Sequence, residues 1–479
     1  MRQPPSYWLA LAALSASVAA QGTPAAAPAP FVLTHVNVVD VAAGRVHPGQ
    51  DVTIRDGRIA SIAPSGKAAP AGVRAIDGTG KFLIPGLTDA HVHWYDERYL
   101  GVFVANGVTS VRLMWGFPMH LEWRKRIDAG ALLGPRFTIA SPIVDGPNPV
   151  WPGSVVAADA AAGTAVVQQM KRDGYDFVKV YSRLPRDAFF AIAKASKDLG
   201  IPFAGHVPSQ VSALEASDAG QRSIEHNTGV LTAASSAETQ LREEGIRLLS
   251  GGEAGRGIPI ERREALRKFS EQLLSTFDAS KAAALYARFV KNGTWMCPTL
   301  TVLRSMASLD DAAFTSDARL KYVPKQIRDS WNPANDPRNA TKTAADYALD
   351  RRVFRKHVEI VGAMKKAGVP IVAGTDTLNP FVFPGFSLHD ELALLVEAGL
   401  TPAEALRSAT LDAAAFLGTT ASNGTIDAGK NADLVLLEAN PLEDVKNTRR
   451  IAGVVARGRF LDRAELDSVL AAAEKYSKE

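Results

Sequence analysis

One rhythm constrains this chain more than any motif in it. Between residues 85 and 422 a helical stretch ends in glycine and a short apolar run follows, again and again. Gly107 leads into VTSVRLM, Gly174 into YDFVKVY, Gly200 into IPFAGHV, Gly220 into QRSIEH, Gly293 into TWMCPTL and Gly368 into VPIVAGTD. Glycine is favoured just past a helix end because it turns left-handed without steric penalty. With GLTDAHVH and RFTIASPIV the runs number eight. Runs apolar on both faces suit parallel strands covered on each side by helices. Eight strand–helix units predict an α/β fold, a (β/α)8 TIM barrel.

The two ends of the chain are patterned differently. FVLTHVNVVDV, DVTIRDGRIASI and KFLI, with Asp56-Gly57 as a hairpin turn, predict strands over 31–84. TIDAGKNADLVLLE and IAGVVARGRFL predict more over 423–460. We read the two segments as one small composite β-sandwich domain around the barrel (85–422), with 461–479 as a helical tail. Arg2, the short apolar run Tyr7–Ala20 and the small residues Val18 and Ala20 read as a signal peptide over 1–20. Residues 21–30 read as an extended Ala/Pro spacer. The expectation is an exported protein, periplasmic or secreted, with no stable membrane span once cleaved. A formal charge of +4 over 479 residues lacks the dense basic face of a nucleic-acid binder. A single cysteine, Cys297, excludes an intrachain disulfide and a Cys-built zinc cage. Metal chemistry would then run on His, Asp, Glu and Lys.

The helices carry their own signals. Thr401-Pro402-Ala403-Glu404 predicts a capping box, with Gly418 closing that helix. Ser387 and Asp390 are expected to open the preceding helix, and Gly399 to end it. Residues 186–199 place Phe189, Ile192 and Leu199 at helical spacing toward the sheet. The long connections 228–292 and 301–367 break the rhythm. In a barrel such loops shape the pocket.

The ends of the runs hold the chemistry. His91 and His93 end the first, the fourth carries Lys179, the fifth His206, the sixth His226 and the last Asp376. Positions i and i+2 of a strand face the same way, so His91 and His93 can both point at the barrel axis. One His-x-His pair says little. Five strands offering ligand-type residues at one mouth say much more. Neutral imidazoles suit zinc, and carboxylates offset its charge. Two cations also need a bridging anion, which Lys179 can supply only if CO2 carboxylates its amine. Its neighbours Phe177, Val178 and Val180 favour the neutral amine this requires.

IPGLTDAHVH, FAGHV, SIEHN, VAGTD, TPAEALRSATLDAAAFLG and GTIDAGKNADLVLL together resemble the amidohydrolase superfamily. Within it, the chain is similar to the imidazolonepropionase-related metal-dependent hydrolases, which include Xaa-Pro and other dipeptidases. The resemblance spans residues 31–460. It implies a barrel with a composite β-domain and two zinc ions. His91, His93 and Asp376 would hold one ion and His206 and His226 the other, bridged by N6-carboxylated Lys179. The implied reaction is hydrolysis of a C–N amide bond in a small-molecule amide, a dipeptide or an N-acyl amino acid. A metal-bridging hydroxide would attack, with Asp376 as general base and then acid. A same-fold alternative is a mononuclear cyclic-amide hydrolase, deaminase or lactonase. Imidazolonepropionase itself lacks the bridging lysine and uses one metal, so Lys179 argues against that activity.

The loops depart from the dipeptidase pattern. A Gly-rich stretch is expected after the lysine and a Gly- and His-containing loop after the third strand. Here they read Tyr181-Ser182-Arg183-Leu184-Pro185 and DGPNPVWPGS at 145–154. His120, Tyr181, Arg183 and Trp151 are the candidate substrate contacts, since an aromatic ring or Arg can hold a substrate's ring or carboxylate. Trp115 shares that face. Thr375 is expected to pack or hydrogen-bond. Glu225 is expected to point away from the site as a structural residue, because neighbours in a strand alternate. His35 and His47 read as ordinary β-domain residues, His357 and His389 as surface or packing residues, and Cys297 as inert core. Assembly into a homo-oligomer is left open.

Overall fold

A computed structural model describes residues 28–66, 72–250, 260–336 and 338–479. The expected signal peptide, and the spacer up to residue 27, lie outside the described residues. The first strands are β1 (Phe31–Asp40), β2 (Arg45–Arg55), β3 (Arg58–Pro64), β4 (Arg74–Asp77) and β5 (Phe82–Pro85). Next come β6 (Leu87–Val92), β7 (Val108–Leu113), β8 (Arg136–Asp145), β9 (Val155–Val156) and β10 (Phe177–Val180). After them lie β11 (Phe203–Gly205), β12 (Ser223–Glu225) and β13 (Trp295–Cys297). The last three are β14 (Leu434–Leu437), β15 (Ile451–Ala456) and β16 (Arg459–Asp462).

Strands β6, β7, β8, β10, β11, β12 and β13 pair in parallel in chain order, with β9 attached to β8. The eighth place is filled by residues 370–377, an irregular segment bridged on both sides. Ile371 bridges to Met296 and Thr377 to Val92. Val372 donates its backbone N–H to Met296 and Asp376 to His91. The ring closes, and the eight apolar runs form a TIM barrel.

Helices cover the barrel where the sequence put them. In the helix Arg186–Leu199, Ala188, Phe189 and Ile192 are buried and Gly200 ends it left-handed. Each large apolar side chain taken from water contributes about 1.5–3 kcal/mol. Thr401 and Glu404 do form a capping box, but that helix stops at Ser408. Gly418 closes a separate helix, Leu411–Leu417. The Ser408 carbonyl accepts from Ala373 N–H and the Ala409 carbonyl from Thr88 N–H. Both are thereby drawn off the helical ladder onto the barrel. Nor do Ser387 and Asp390 cap the helix Phe386–Glu397, whose N-cap is Gly385. Ser387 Oγ accepts from Phe383 N–H, and Asp390 pairs with Arg319 and Arg449.

A second sheet runs β16-β15-β14-β5-β1-β2-β3, with β4 on β1. The antiparallel β5–β14 pair joins the two ends of the chain. Leu33, Val36, Val52, Ile54, Leu83, Leu434 and Leu436 give this sheet a core of its own. The helix Arg463–Tyr476 follows it. No helix among the described residues is long and apolar enough to cross a membrane.

Candidate metal centre

His91 lies on β6 and His93 just past its end, with ring centroids 5.3 Å apart. The His226 ring is 4.6 Å from that of His91, and the His206 ring 4.9 Å from that of His226. Asp376 enters from the eighth segment. Its Oδ1 is 3.0 Å from His93 Nε2 and 3.3 Å from His91 Nε2, and its Oδ2 is 3.8 Å from His226 Nδ1. Donor atoms of His91, His226 and Asp376 all lie within 4.8 Å of one another.

Three of the four rings are tethered from behind. His91 Nδ1 is 2.8 Å from Glu225 Oε2, His206 Nδ1 2.8 Å from Ser182 Oγ, and His226 Nδ1 2.6 Å from Thr299 Oγ1. A carboxylate can only accept, so His91 donates through Nδ1 and a lone pair is left on Nε2. That Nε2 is buried without a hydrogen-bond partner. Its lone pair faces the Asp376 carboxylate, an arrangement that repels unless a proton or a cation lies between.

Burial keeps the His93, His206 and His226 imidazoles neutral. It pushes His226 down to about 3 and, with the repulsion of His226 and Lys179, pulls His206 well below its ordinary value. Burial would raise Asp376, but the imidazoles set around it, His226 and His91 foremost and then His93, hold it well below the usual carboxylate range. Lys179 on β10 is 1% exposed, with Nζ 5.8 Å from the Tyr181 ring centroid. Burial pulls its amine down to about 8 against the attraction of Glu225 and Asp376. The donor set of neutral imidazoles, one ionised carboxylate and an amine near its neutral form fits divalent metal.

Glu225 departs from the sequence reading. It does not face away: Ser223 and Glu225 turn inward together on β12, and Glu225 orients His91. Alternation fails at the next residue, because His226 takes a left-handed backbone (φ 58°) and swings back toward the site. The other Glu225 oxygen accepts from Arg112, which is 2% exposed and also bonds Ser223 Oγ and the Ala90 carbonyl. A charged residue inside the apolar run VTSVRLM was the available signal. Asp89 gave the same one within GLTDAHVH. It accepts from Thr375 through both backbone N–H and hydroxyl, locking β6 to the eighth segment.

The expected substrate contacts divide. His120 is not one: it is fully buried, with Nε2 on the Trp94 carbonyl and Nδ1 taking the Phe117 N–H. Both nitrogens are spent on shaping the loop. Tyr181 stacks on His206, its ring 4.0 Å away, and its hydroxyl accepts from Trp151 Nε1 at 2.8 Å. Arg183 donates to the Asn148 carbonyl, while its Nε is buried without a partner. Trp115 extends the aromatic wall, 6.4 Å from Trp151 and 6.4 Å from Tyr95. Sequence reasoning passed over Tyr95, whose hydroxyl is buried without a partner and feels the charge of Asp376. His357 packs beside the site, 3.3 Å from Asn227 next to His226. His389 does pack, bonded to Thr448 and the Asn106 carbonyl.

The model of the amidohydrolase family matches residues 82–461. The solved structure of bottromycin amidohydrolase aligns at TM-score 0.73 and 27% identity, covering 93% of this chain and 91% of its own. A Xaa-Pro dipeptidase structure with bound methionine shares the fold at TM-score 0.65 and 18% identity, over 91% of this chain and all of that one. Ochratoxinase from Aspergillus niger is 41% identical over 92 residues, 19% of this chain and 18% of its own length. Curated relatives are thus matched locally, over 11% to 18% of their length.

Proposed function

The chain belongs to the amidohydrolase family, and from that premise we propose that it is a divalent-metal hydrolase of C–N amide bonds. Its substrate would be a dipeptide or an N-acyl amino acid. One observation carries the reading: tethered imidazoles from three strand ends gather round the ionised Asp376, with His91 Nε2 buried and unpartnered. His91, His93 and Asp376 would hold one zinc, and His206 and His226 the second. Lys179 would bridge as a carbamate, its neutral amine adding to CO2 with loss of one proton. When bound, the cations polarise the scissile carbonyl and acidify a water.

The chain's own groups do the rest. Asp376 is ionised, so it can take the proton of the attacking water and return it to the leaving nitrogen. Tyr181, Trp151 and Trp115 form a wall against which a substrate's apolar side chain loses water. The unpartnered Arg183 Nε and Tyr95 hydroxyl are buried donors for substrate oxygens. The apolar run Tyr7–Ala20 supports action outside the cytoplasm.

The test is hydrolysis of dipeptides, N-acyl amino acids, cyclic amides and lactones by zinc-reconstituted protein, beside Asp376→Asn. Turnover of linear amides is expected, cut about 10²–10⁴-fold in the variant while most metal stays bound. Turnover of ring substrates alone overturns the substrate class. Failure to take up metal overturns the centre.

A further inference from the structure

We propose that Thr299 is a positioning residue that sets the tautomer and aim of His226, and that Glu391 is the brace keeping Thr299 in place. The inference rests on the metal centre proposed above. Thr299 follows β13 at the N-cap of the helix Leu300–Met306, fully buried. Its backbone is left-handed (φ 48°, ψ 48°), a conformation that β-branched residues rarely adopt and that costs about 1–2 kcal/mol. Such strain persists only where the surroundings enforce it.

The hydroxyl accounts for it. A threonine carries one hydroxyl proton, and Thr299 spends it on the Pro298 carbonyl at 2.8 Å. Toward His226 Nδ1, 2.6 Å away, the oxygen can then only accept. His226 is therefore protonated at Nδ1, and its lone pair is on Nε2, the nitrogen left for a cation. An ordinary extended backbone at residue 299 would carry the hydroxyl elsewhere.

Glu391, on the helix Phe386–Glu397, grips the turn from the far side. Its Oε1 accepts from Leu300 N–H at 3.0 Å, and its Oε2 from Thr301 N–H and Thr301 Oγ1, both at 2.7 Å. No cation pairs with Glu391 among the described residues, and it is fully buried. Its three bonds all go to the two residues after Thr299. A helix on the barrel's outside thus reaches an imidazole on its axis through one strained turn.

The experiment measures zinc stoichiometry and affinity by chelator competition for the parent chain, Thr299→Val, Thr299→Ser and Glu391→Gln, with unfolding of each metal-free protein followed in parallel. Thr299→Val keeps the branched shape but cannot accept. It should weaken one zinc about 10–100-fold, while Thr299→Ser stays near the parent value. Glu391→Gln should shift the same zinc, because one of its two oxygens becomes a donor facing N–H groups. Zinc bound by Thr299→Val as tightly as by the parent overturns the proposal. A parent that binds no zinc instead overturns the metal centre. Should Thr299→Val fail to fold, nitrogen-15 NMR of the metal-free parent decides, with the His226 signal assigned by its loss in His226→Gln. The Nδ1–H tautomer supports the inference and the Nε2–H tautomer overturns it.

Discussion

At the scale of the residue, the buried Arg112–Glu225–His91 chain shows how charge is held within reach of a cation site. Glu225 is fully buried and would be costly there alone. Arg112 on one oxygen and His91 on the other keep it well below the usual carboxylate range. Glu225→Gln should leave the barrel folded and weaken zinc about 10–100-fold, measured by chelator competition, because His91 loses the acceptor that fixes its ring. Arg112→Met should cost about 3–5 kcal/mol of stability in urea titration, since it strands a buried carboxylate. The six expected ligands stood out as candidates in the sequence because five lie at or just past the end of an apolar run and Lys179 lies within one, where a polar residue has no packing reason to be. Glu225 was misread because strict alternation was assumed across His226, whose backbone breaks it. His120 was misread because strand order says nothing about which loop histidine turns inward to cap its own helix.

At the scale of the element, close approach between strands decides what the site tolerates. A Cβ on Gly205 would lie 2.2 Å from the Val180 carbonyl and 3.1 Å from Lys179 Cδ, at φ 139°. Gly205→Ala should therefore lower the thermal midpoint sharply or abolish soluble expression. Gly200→Ala, left-handed but facing open space, should cost only about 1 kcal/mol. If both variants melt alike, contact between strands is not what Gly205 serves. Seven barrel strands followed directly from apolar runs preceded by turn signals. The eighth, 370–377, carries the same pattern but pairs irregularly, because its carbonyls and N–H groups are shared between the barrel strands on either side and the Ser408 carbonyl, which takes the Ala373 N–H. The break after Ser408 was hidden for a related reason: it is caused by barrel N–H groups far away in sequence.

At the scale of the whole molecule, buried histidines couple folding to acidity. Burial pushes His120, His357 and His389 down to about 4. Between about pH 4 and 6.5 the unfolded chain takes up protons that the native one refuses, so these groups make stability rise with pH and fall on acidification. For the near-fully buried His389 the loss approaches about 3 kcal/mol. Asp89 and Glu391, both raised to about 7 by burial, pull the other way. The clean measurement is therefore a difference: His389→Gln against the parent, both metal-free, by urea titration at pH 7 and pH 4.5. The variant should lose less stability on acidification, and equal losses would show that His389 is not a neutral buried group.

The β5–β14 ladder has a consequence for how the molecule is made. During synthesis β5 leaves the ribosome hundreds of residues before the strand that will cover its edge. Until then its backbone donors and acceptors stand open to any other extended chain. A nascent chain must keep that seam unspoiled while an entire barrel is laid down between its two sides. Losing β14–β16 to premature termination should therefore yield sticky, self-associating product rather than a smaller working enzyme.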